Sequence, residues 1–239
     1  LCSQNAGVYR TTNGGSSWSS VISDSNGYDV EFKPGDPQIV YAAGSGVHKS
    51  TDGGASFNQV SGFDGGAKMI GVSPDAPNTV YVLDANSSIF GGFYVSTDSG
   101  DNFTELNHSG KNYFGYSTTG NDNSGQAPRD MDVAVNPNNA NEVHIAGVLT
   151  WRSLDGGITF TCTSDWIPGN AASAGIGYCH ADVDILLFDG NTLFAGTDGG
   201  IFKATDTQNL TANYYEDLTL GIGARQFYKI GISQTTDVV

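Results

Sequence analysis

The chain has 239 residues, of which 38% are hydrophobic and 15% charged, and its formal net charge is −15. This acidity disfavours nucleic acids and anionic membranes as partners, because carboxylates repel phosphates. Solubility is the simplest explanation of the charge, and metal binding by clustered carboxylates is the alternative.

Short β-type runs recur along the chain, and each is followed by a turn motif. The motif reads Ser or Thr, any residue, Asp or Asn, any residue, Gly, two residues and an aromatic residue. The aligned Asp or Asn stands at positions 13, 52, 98, 155 and, in a copy without the glycines, 206. The complete copies are Thr11, Asn13, Gly15 and Trp18; Ser50, Asp52, Gly54 and Phe57; Ser96, Asp98, Gly100 and Phe103; Ser153, Asp155, Gly157 and Phe160.

A repeat of about 40 to 50 residues with several short strands predicts an all-β protein, a β-propeller whose four-stranded blades contain strands a to d. The predicted blade units of this single propeller region, 1–239, are 1–24 (partial), 28–62, 67–106, 130–162, 181–218 and 225–239 (partial). In the clearest unit, the strands fall at 28–32, 38–43, 47–49 and 56–60. The sequence contains about five units. We therefore expect the chain to be part of a larger propeller, and the remaining blades or domains of that protein would be its partners. A closed five-blade ring is the alternative.

The residue types of the motif have a mechanical explanation. In a hairpin turn between strands c and d, Asp and Ser or Thr side chains accept hydrogen bonds from the backbone, and Gly supplies a positive φ. We therefore predict a structural role for the motif. Calcium binding is a lesser alternative, because the known calcium-loop pattern is not matched. No other cofactor or metal is expected.

Two long loops, 107–129 and 163–180, interrupt the repeat between strand d of one blade and strand a of the next. Their aromatic residues lie beside charged ones, a composition suited to stacking on sugars or gripping a peptide. Packing of these rings within their own loops is the alternative. The predicted ligand-binding residues are Tyr113, Phe114, Tyr116, Arg129, Trp166, Tyr178 and His180.

Three carboxylates are candidates for catalysis. Asp130 and Asp182 each precede a predicted strand a, and Asp198 lies in a predicted turn between strands b and c. Paired carboxylates at a suitable separation are what glycoside hydrolysis requires. Solvated or turn-bonded carboxylates are the alternative.

The three cysteines are Cys2, Cys162 and Cys179. Cys162 and Cys179 flank the second long loop, so a disulfide between them is a candidate in an oxidising compartment. Cys2 would then have no partner within this sequence.

The repeated motif resembles the Asp-box, also called the bacterial neuraminidase repeat. Asp-boxes mark sialidases, xyloglucan-cleaving glycoside hydrolases, sortilin-type receptors, a photosystem II assembly factor and large secreted bacterial surface proteins. Segments 125–135, 180–184, 196–202 and 224–230 look most like the last group. The resemblance implies a secreted or cell-surface bacterial protein with the motif at the propeller periphery, away from any ligand.

We therefore expect an extracellular binding or scaffold module that recognises a glycan or an extracellular protein through its d–a loops. The alternative is a glycoside hydrolase acting on a β-glucan such as xyloglucan. Residues 197–200, Thr-Asp-Gly-Gly, look like a catalytic stretch of the xyloglucan-cleaving enzymes but lack the residue between Asp and Gly-Gly.

Overall fold

The computed structural model describes residues 1–3, 5–23, 26–63 and 65–222, and its regular structure is almost entirely β. Aromatic and β-branched residues fill the strands, and Gly, Pro and Asx residues fill the turns between them. The predicted partial unit 225–239 lies outside the described residues.

Five antiparallel sheets follow one another along the chain, and we call them blades 1 to 5. Blade 1 contains β1 (Cys2–Ser3), β2 (Gly7–Arg10) and β3 (Ser19–Ile22). Blade 2 contains β4 (Asp29–Phe32), β5 (Val40–Ala43), β6 (Val47–Ser50) and β7 (Asn58–Val60). Blade 3 contains β8 (Lys68–Val72), β9 (Val80–Asn86), β10 (Ile89–Ser96) and β11 (Thr104–Glu105). Blade 4 contains β12 (Asp132–Asn136), β13 (Asn139–Ala146), β14 (Thr150–Ser153) and β15 (Thr161–Cys162).

A small insertion separates blades 4 and 5. The strands β16 (Ser164–Asp165) and β17 (Gly177–Tyr178) pair in parallel and flank the single helix α1 (Pro168–Ala174). Pro168 suits the first turn of that helix, and Gly175 ends it in the left-handed region at φ 69°. Blade 5 then contains β18 (Val183–Asp189), β19 (Thr192–Thr197), β20 (Gly200–Ala204) and β21 (Glu216–Asp217).

The first strands of blades 2 to 5 lie side by side. Contacts join β4 to β8, β8 to β12 and β12 to β18. A cavity of about 190 Å³ between them is lined by residues that include Gly71, Val133 and Leu186. The inner strands therefore line a central channel, as the propeller prediction required, and the predicted fold class is confirmed.

The hydrophobic core lies between blades because successive strand residues point to opposite faces of a sheet. The largest cluster joins blades 3 and 4 and includes Leu83, Phe93 and Val143. A second cluster joins blades 4 and 5 through Ala146 and Leu193. Each fully buried Leu or Phe contributes about 2 kcal/mol, so the blades hold one another in place.

Candidate functional site

Antiparallel pairing places the two kinds of connection at opposite ends of each blade. The turns between strands c and d, which carry the repeated motif, lie at one end. The turns between strands b and c and the long d–a connections lie at the other. We call this second end the loop face; it comprises residues 107–131, 163–182 and 197–200 and holds all the predicted ligand-binding and catalytic residues.

The motif turns are closed by their own side chains. Ser50 Oγ donates to Asp52 Oδ1 at 2.7 Å, and the backbone N–H groups of Gly54 and Ser56 donate to Ser50 Oγ at 2.8 Å and to Asp52 Oδ1 at 2.9 Å. The corresponding bonds recur in the turns at 96–102 and 153–159. Hydrogen bonds from Ser56, followed by that from Ser50, hold the pKa of Asp52 well below its usual range.

The motif turns also join neighbouring blades, which the sequence analysis missed. In three copies, the carbonyl of the residue after the motif Asp accepts a hydrogen bond from the preceding blade. The donors are Arg10 Nε to Gly53 O at 3.1 Å, Tyr41 Oη to Ser99 O at 3.1 Å and Arg152 Nη1 to Thr207 O at 2.5 Å. The hydrogen-bonding groups of these turns therefore close the turns and join neighbouring blades.

On the loop face, Tyr113 and Phe114 are buried, although the sequence analysis predicted that they bind ligand. Trp151 Nε1 donates to the carbonyl of Tyr113 at 2.8 Å, and the Tyr113 hydroxyl lies 2.9 Å from His108 Nδ1. Both rings belong to the core between blades 3 and 4. For these two residues the alternative to ligand binding, packing of the rings inside the protein, therefore holds. Their buried rings anchor the first long loop.

Tyr116 and Trp166 lie at the surface. Tyr116 is 43% exposed and Trp166 half-buried, and their ring centroids are 5.8 Å apart in an edge-to-face arrangement. One ring comes from each long loop, so the pair joins the two insertions. Tyr178 packs edge-on against Phe202 with centroids 5.6 Å apart, which places its ring partly in the core of blade 5.

The predicted carboxylates gather around Arg129. Arg129 Nη2 donates to both oxygens of Asp198 at 2.9 and 3.1 Å, and its Nε lies 3.6 Å from Asp130 Oδ1. Gln126 Nε2 donates to Asp182 Oδ1 at 2.6 Å. The fold thus brings residues from blades 4 and 5 into one cluster of carboxylates around a single guanidinium.

Asp130 differs from its neighbours. It is 1% exposed, and neither of its carboxylate oxygens has a hydrogen-bond partner among the described residues. Burial, followed by the charge of Asp182, raises the pKa of Asp130 to about 6, against the opposing effect of Arg129. A carboxyl group of this kind can hold or release a proton near neutral pH.

His180 lies beside this cluster in a fixed orientation. Its Nδ1 is 3.0 Å from the carbonyl of Ala181, and its ring packs against Gly199, where a Cβ atom would lie 2.2 Å away. Glycine at position 199 therefore allows the turn at 197–200 to approach the histidine.

Two carboxylates on the inner strands, Asp29 and Asp132, were also missed. Asp29 Oδ2 accepts a bond from the backbone N–H of Ile70 at 2.8 Å, and Asp132 Oδ2 accepts one from Leu186 at 2.6 Å. Each therefore links the inner strand of one blade to that of the next. Burial raises the pKa of Asp132 to about 7 and that of the neighbouring Glu31 to about 7. The sequence signal that could have identified these two residues is an Asp at the same position of two repeats.

The predicted disulfide between Cys162 and Cys179 is not present, and both thiols are free and buried. Parallel pairing sets Ser164 opposite Gly177, so the two cysteines lie on opposite sides of that pair, four positions apart in register. Their side chains belong to different core clusters. In the described ranges, no three His, Cys, Asp or Glu side chains are placed to hold a metal ion.

No protein-family model matches the chain, and no curated protein matches it by sequence. Solved propellers match it in structure. An ancestral GH74 enzyme gives a TM-score of 0.62 at 17% identity over 91% of this chain and 29% of that one. The GH74 xyloglucanase from Xanthomonas campestris gives 0.57 at 17% identity, over 87% and 34%. YCF48 bound to D1 peptide gives 0.50 at 13% identity, over 81% and 55%.

These similarities show the fold, a β-propeller, and the chain spans about a third of the length of the GH74 enzymes. Across residues 1–3, 5–23, 26–63 and 65–222, no helix has the length and apolar character needed to cross a membrane.

Proposed function

We propose that this chain is an extracellular binding or scaffold module of a secreted or cell-surface protein, which recognises a protein or glycan through the loop face. The observation that carries the proposal is the pair formed by the exposed Tyr116 and the half-buried Trp166 at the junction of the two insertions. Aromatic rings supply large contact areas at little entropic cost and suit both sugar faces and peptide side chains.

The first insertion is held in a defined shape, which favours binding. Asn112 Oδ1 accepts bonds from the backbone N–H groups of Phe90 and Phe114, and Asn112 Nδ2 donates to the carbonyl of Ser124 at 2.9 Å. The backbone N–H of Tyr116 donates to Asp122 Oδ2 at 2.6 Å. A preorganised loop loses little conformational entropy when a partner binds, so more of the contact energy remains as affinity.

The partner class follows from the charge of the face. In the cluster around Arg129, the carboxylates of Asp130, Asp182 and Asp198 outnumber the single guanidinium, so a partner with basic side chains would gain favourable charge contacts. YCF48, a propeller of similar fold, has been captured with a peptide. These observations favour a protein partner over a neutral glycan.

The test uses a glycan array and a displayed peptide library, screened with the wild-type chain and with Tyr116→Ala and Trp166→Ala. Each ligand found is then measured by calorimetry. We expect the two variants to weaken binding at least tenfold. Ile158→Ala is the matched control, because Ile158 is 62% exposed but lies in a motif turn at the other end of blade 4. Ligands that bind all four proteins equally would contradict the proposal.

A second candidate function, glycoside hydrolysis of a β-glucan such as xyloglucan, is favoured by Asp130. A buried carboxyl with a raised pKa beside other carboxylates has the character of a general acid. In such a reaction Asp130 would donate its proton to the leaving oxygen, and Asp182 or Asp198 would act as base or nucleophile.

The decisive assay measures the reducing ends released from xyloglucan and other β-glucans. The enzyme proposal requires that the wild type hydrolyses one of these substrates. Its activity should then fall at least a hundredfold in Asp130→Asn and in Asp182→Asn, but not in the motif variant Asp206→Asn. An inactive wild type would exclude this candidate for the substrates used and leave the binding proposal untouched.

A further inference from the structure

The first motif turn carries an amide where the other complete copies carry a carboxylate. Asn13 stands at the position of the motif Asp, and Gly14 follows it. The turn is nevertheless closed in the same way, because Thr11 Oγ1 and the backbone N–H of Ser17 donate to Asn13 Oδ1 at 2.9 and 3.0 Å. Donors that hold a negatively charged oxygen in the other turns therefore point at the oxygen of an amide here.

The backbone N–H that follows the motif residue also differs between the copies. In the other complete copies this N–H donates to a carbonyl of the same blade: Gly53 to Gln38 at 2.9 Å, Ser99 to Asn78 at 2.8 Å and Gly156 to Asn141 at 2.8 Å. The described residues supply no such acceptor for the N–H of Gly14, which is exposed. A Cβ atom added at Gly14 would meet nothing within 4 Å, so the backbone there has room to move.

We propose that Asn13 is a site of self-modification, at which the first motif turn converts its own side-chain amide to a carboxylate. The nitrogen of Gly14, after losing its proton to a base in the solvent, attacks Asn13 Cγ and closes a succinimide ring. Negative charge develops on Oδ1 during this attack. The hydroxyl of Thr11 and the N–H of Ser17 already donate to that oxygen, and together they act as an oxyanion hole.

Ammonia is the leaving group, and water completes the conversion. Asn13 Nδ2 donates to Ser17 Oγ at 2.9 Å, so the Ser17 hydroxyl is placed to give the departing nitrogen its proton and to regain one from solvent. Water then opens the ring. Cleavage of the new bond at Cγ leaves an aspartate at position 13, and cleavage of the original peptide bond leaves an isoaspartate. The aspartate product gives the first turn the carboxylate that the other complete copies have.

The pair Asn26–Gly27 is an internal control, because it has the same two residue types in a different setting. The N–H of Gly27 donates to the carbonyl of Ser3 at 3.0 Å, so this nitrogen is engaged. Asn26 Oδ1 accepts from the backbone N–H of Asn5 at 3.1 Å. A Cβ atom added at Gly27 would lie 2.4 Å from a backbone oxygen, so the chain there is closely packed. We expect this amide to persist while Asn13 reacts.

The test follows both amides by peptide mapping and mass spectrometry in mildly alkaline buffer, in the folded chain and in the same chain unfolded by urea. Asn13 should react at least about fivefold faster in the folded chain, because the unfolded chain lacks the oxyanion donors. Asn26 should react more slowly in the folded chain than in the unfolded one, because its neighbouring nitrogen is held.

Two substitutions of Thr11 test the oxyanion hole directly. Thr11→Val removes one donor and should slow the reaction of Asn13 in the folded chain at least about fivefold, whereas Thr11→Ser keeps the hydroxyl and should keep the wild-type rate. The urea midpoint of each variant verifies folding, and the comparison of folded with unfolded wild type needs no variant. A smaller enhancement at Asn13, or equal rates in wild type and folded Thr11→Val, would overturn the proposal, because the turn would then hold the amide without activating it.

Discussion

The motif turns and the loop face use aspartate in opposite ways. In the motif turns, Asp52 and Asp98 accept several hydrogen bonds each, and their pKa values are held well below the usual range by those bonds. On the loop face, Asp130 is buried, has no hydrogen-bond partner among the described residues, and has a pKa raised to about 6. The supply of donors, rather than the residue type, decides whether a carboxylate serves architecture or remains available for a ligand or a proton.

The largest effect is expected where a motif glycine meets the preceding blade. At Gly157, φ is 86° and a Cβ atom would lie 2.2 Å from the Phe93 ring. Gly157→Ala should cost about 4 kcal/mol of unfolding free energy, from backbone strain and overpacking together. Gly14→Ala is the control, since φ is 68° there and no atom lies within 4 Å; it should cost about 1 kcal/mol. Equal losses in urea unfolding would show that the motif turn is not a blade contact.

A smaller loss of stability is expected at Asp132, the carboxylate that links the inner strands of blades 4 and 5. Asp132→Ala leaves the backbone N–H of Leu186 without its acceptor and should cost about 2 kcal/mol. Asp52→Ala should cost less, because water can replace the lost acceptor in an exposed turn. Calorimetric or urea unfolding of both variants checks the order. A larger loss of stability in Asp52→Ala than in Asp132→Ala would contradict the expectation that the more buried carboxylate contributes more.

The buried carboxyl groups and the motif aspartates should also differ in how their contributions to stability depend on pH. With raised pKa values, Asp130, Asp132 and Glu31 bind protons in the folded state that the unfolded chain has already lost, so stability should fall as the pH rises from about 4 to 7. The lowered pKa values of the motif aspartates act in the other direction, and their contribution should be lost as the pH falls below about 4.

Urea unfolding between pH 4 and 8 should therefore show a decrease of about 1 kcal/mol towards pH 8, after allowance for solvent screening. Asp132→Asn should flatten this slope, whereas Asp52→Asn should leave it unchanged above pH 5. A wild-type stability that rises between pH 5 and 8 would show that these carboxyl groups are not buried as the structure places them.

The smallest effect on stability is expected from treatment with a reducing agent. Cys162 and Cys179 are free, so a reducing agent should shift the unfolding midpoint by less than the precision of the measurement. Burial raises the pKa of both thiols, and alkylation should label Cys2 first because it is the more exposed thiol. A midpoint that falls by several degrees under reduction would instead indicate a covalent link across the second insertion.

Much of the fold could be predicted because the motif combines turn chemistry with a repeat. Asp, Gly and an aromatic residue at fixed spacing specify a hairpin locally, and their recurrence sets the blade phase. The loop face was harder, because its loops do not repeat. Composition placed Tyr113 and Tyr116 in one group, and only packing separated the buried Tyr113 from the exposed Tyr116.

By itself, the sequence determined the all-β class, the phase of the blades and the end of each blade at which the long insertions lie, since these follow from short-range pattern and strand direction. The tertiary structure decided which side chains are free. It buried Phe114, separated Cys162 from Cys179, and placed Asp130 near Asp182 where no donor in the described part of the chain reaches it. These outcomes depend on contacts between residues tens of positions apart, and local sequence carries no record of which donors and rings will meet.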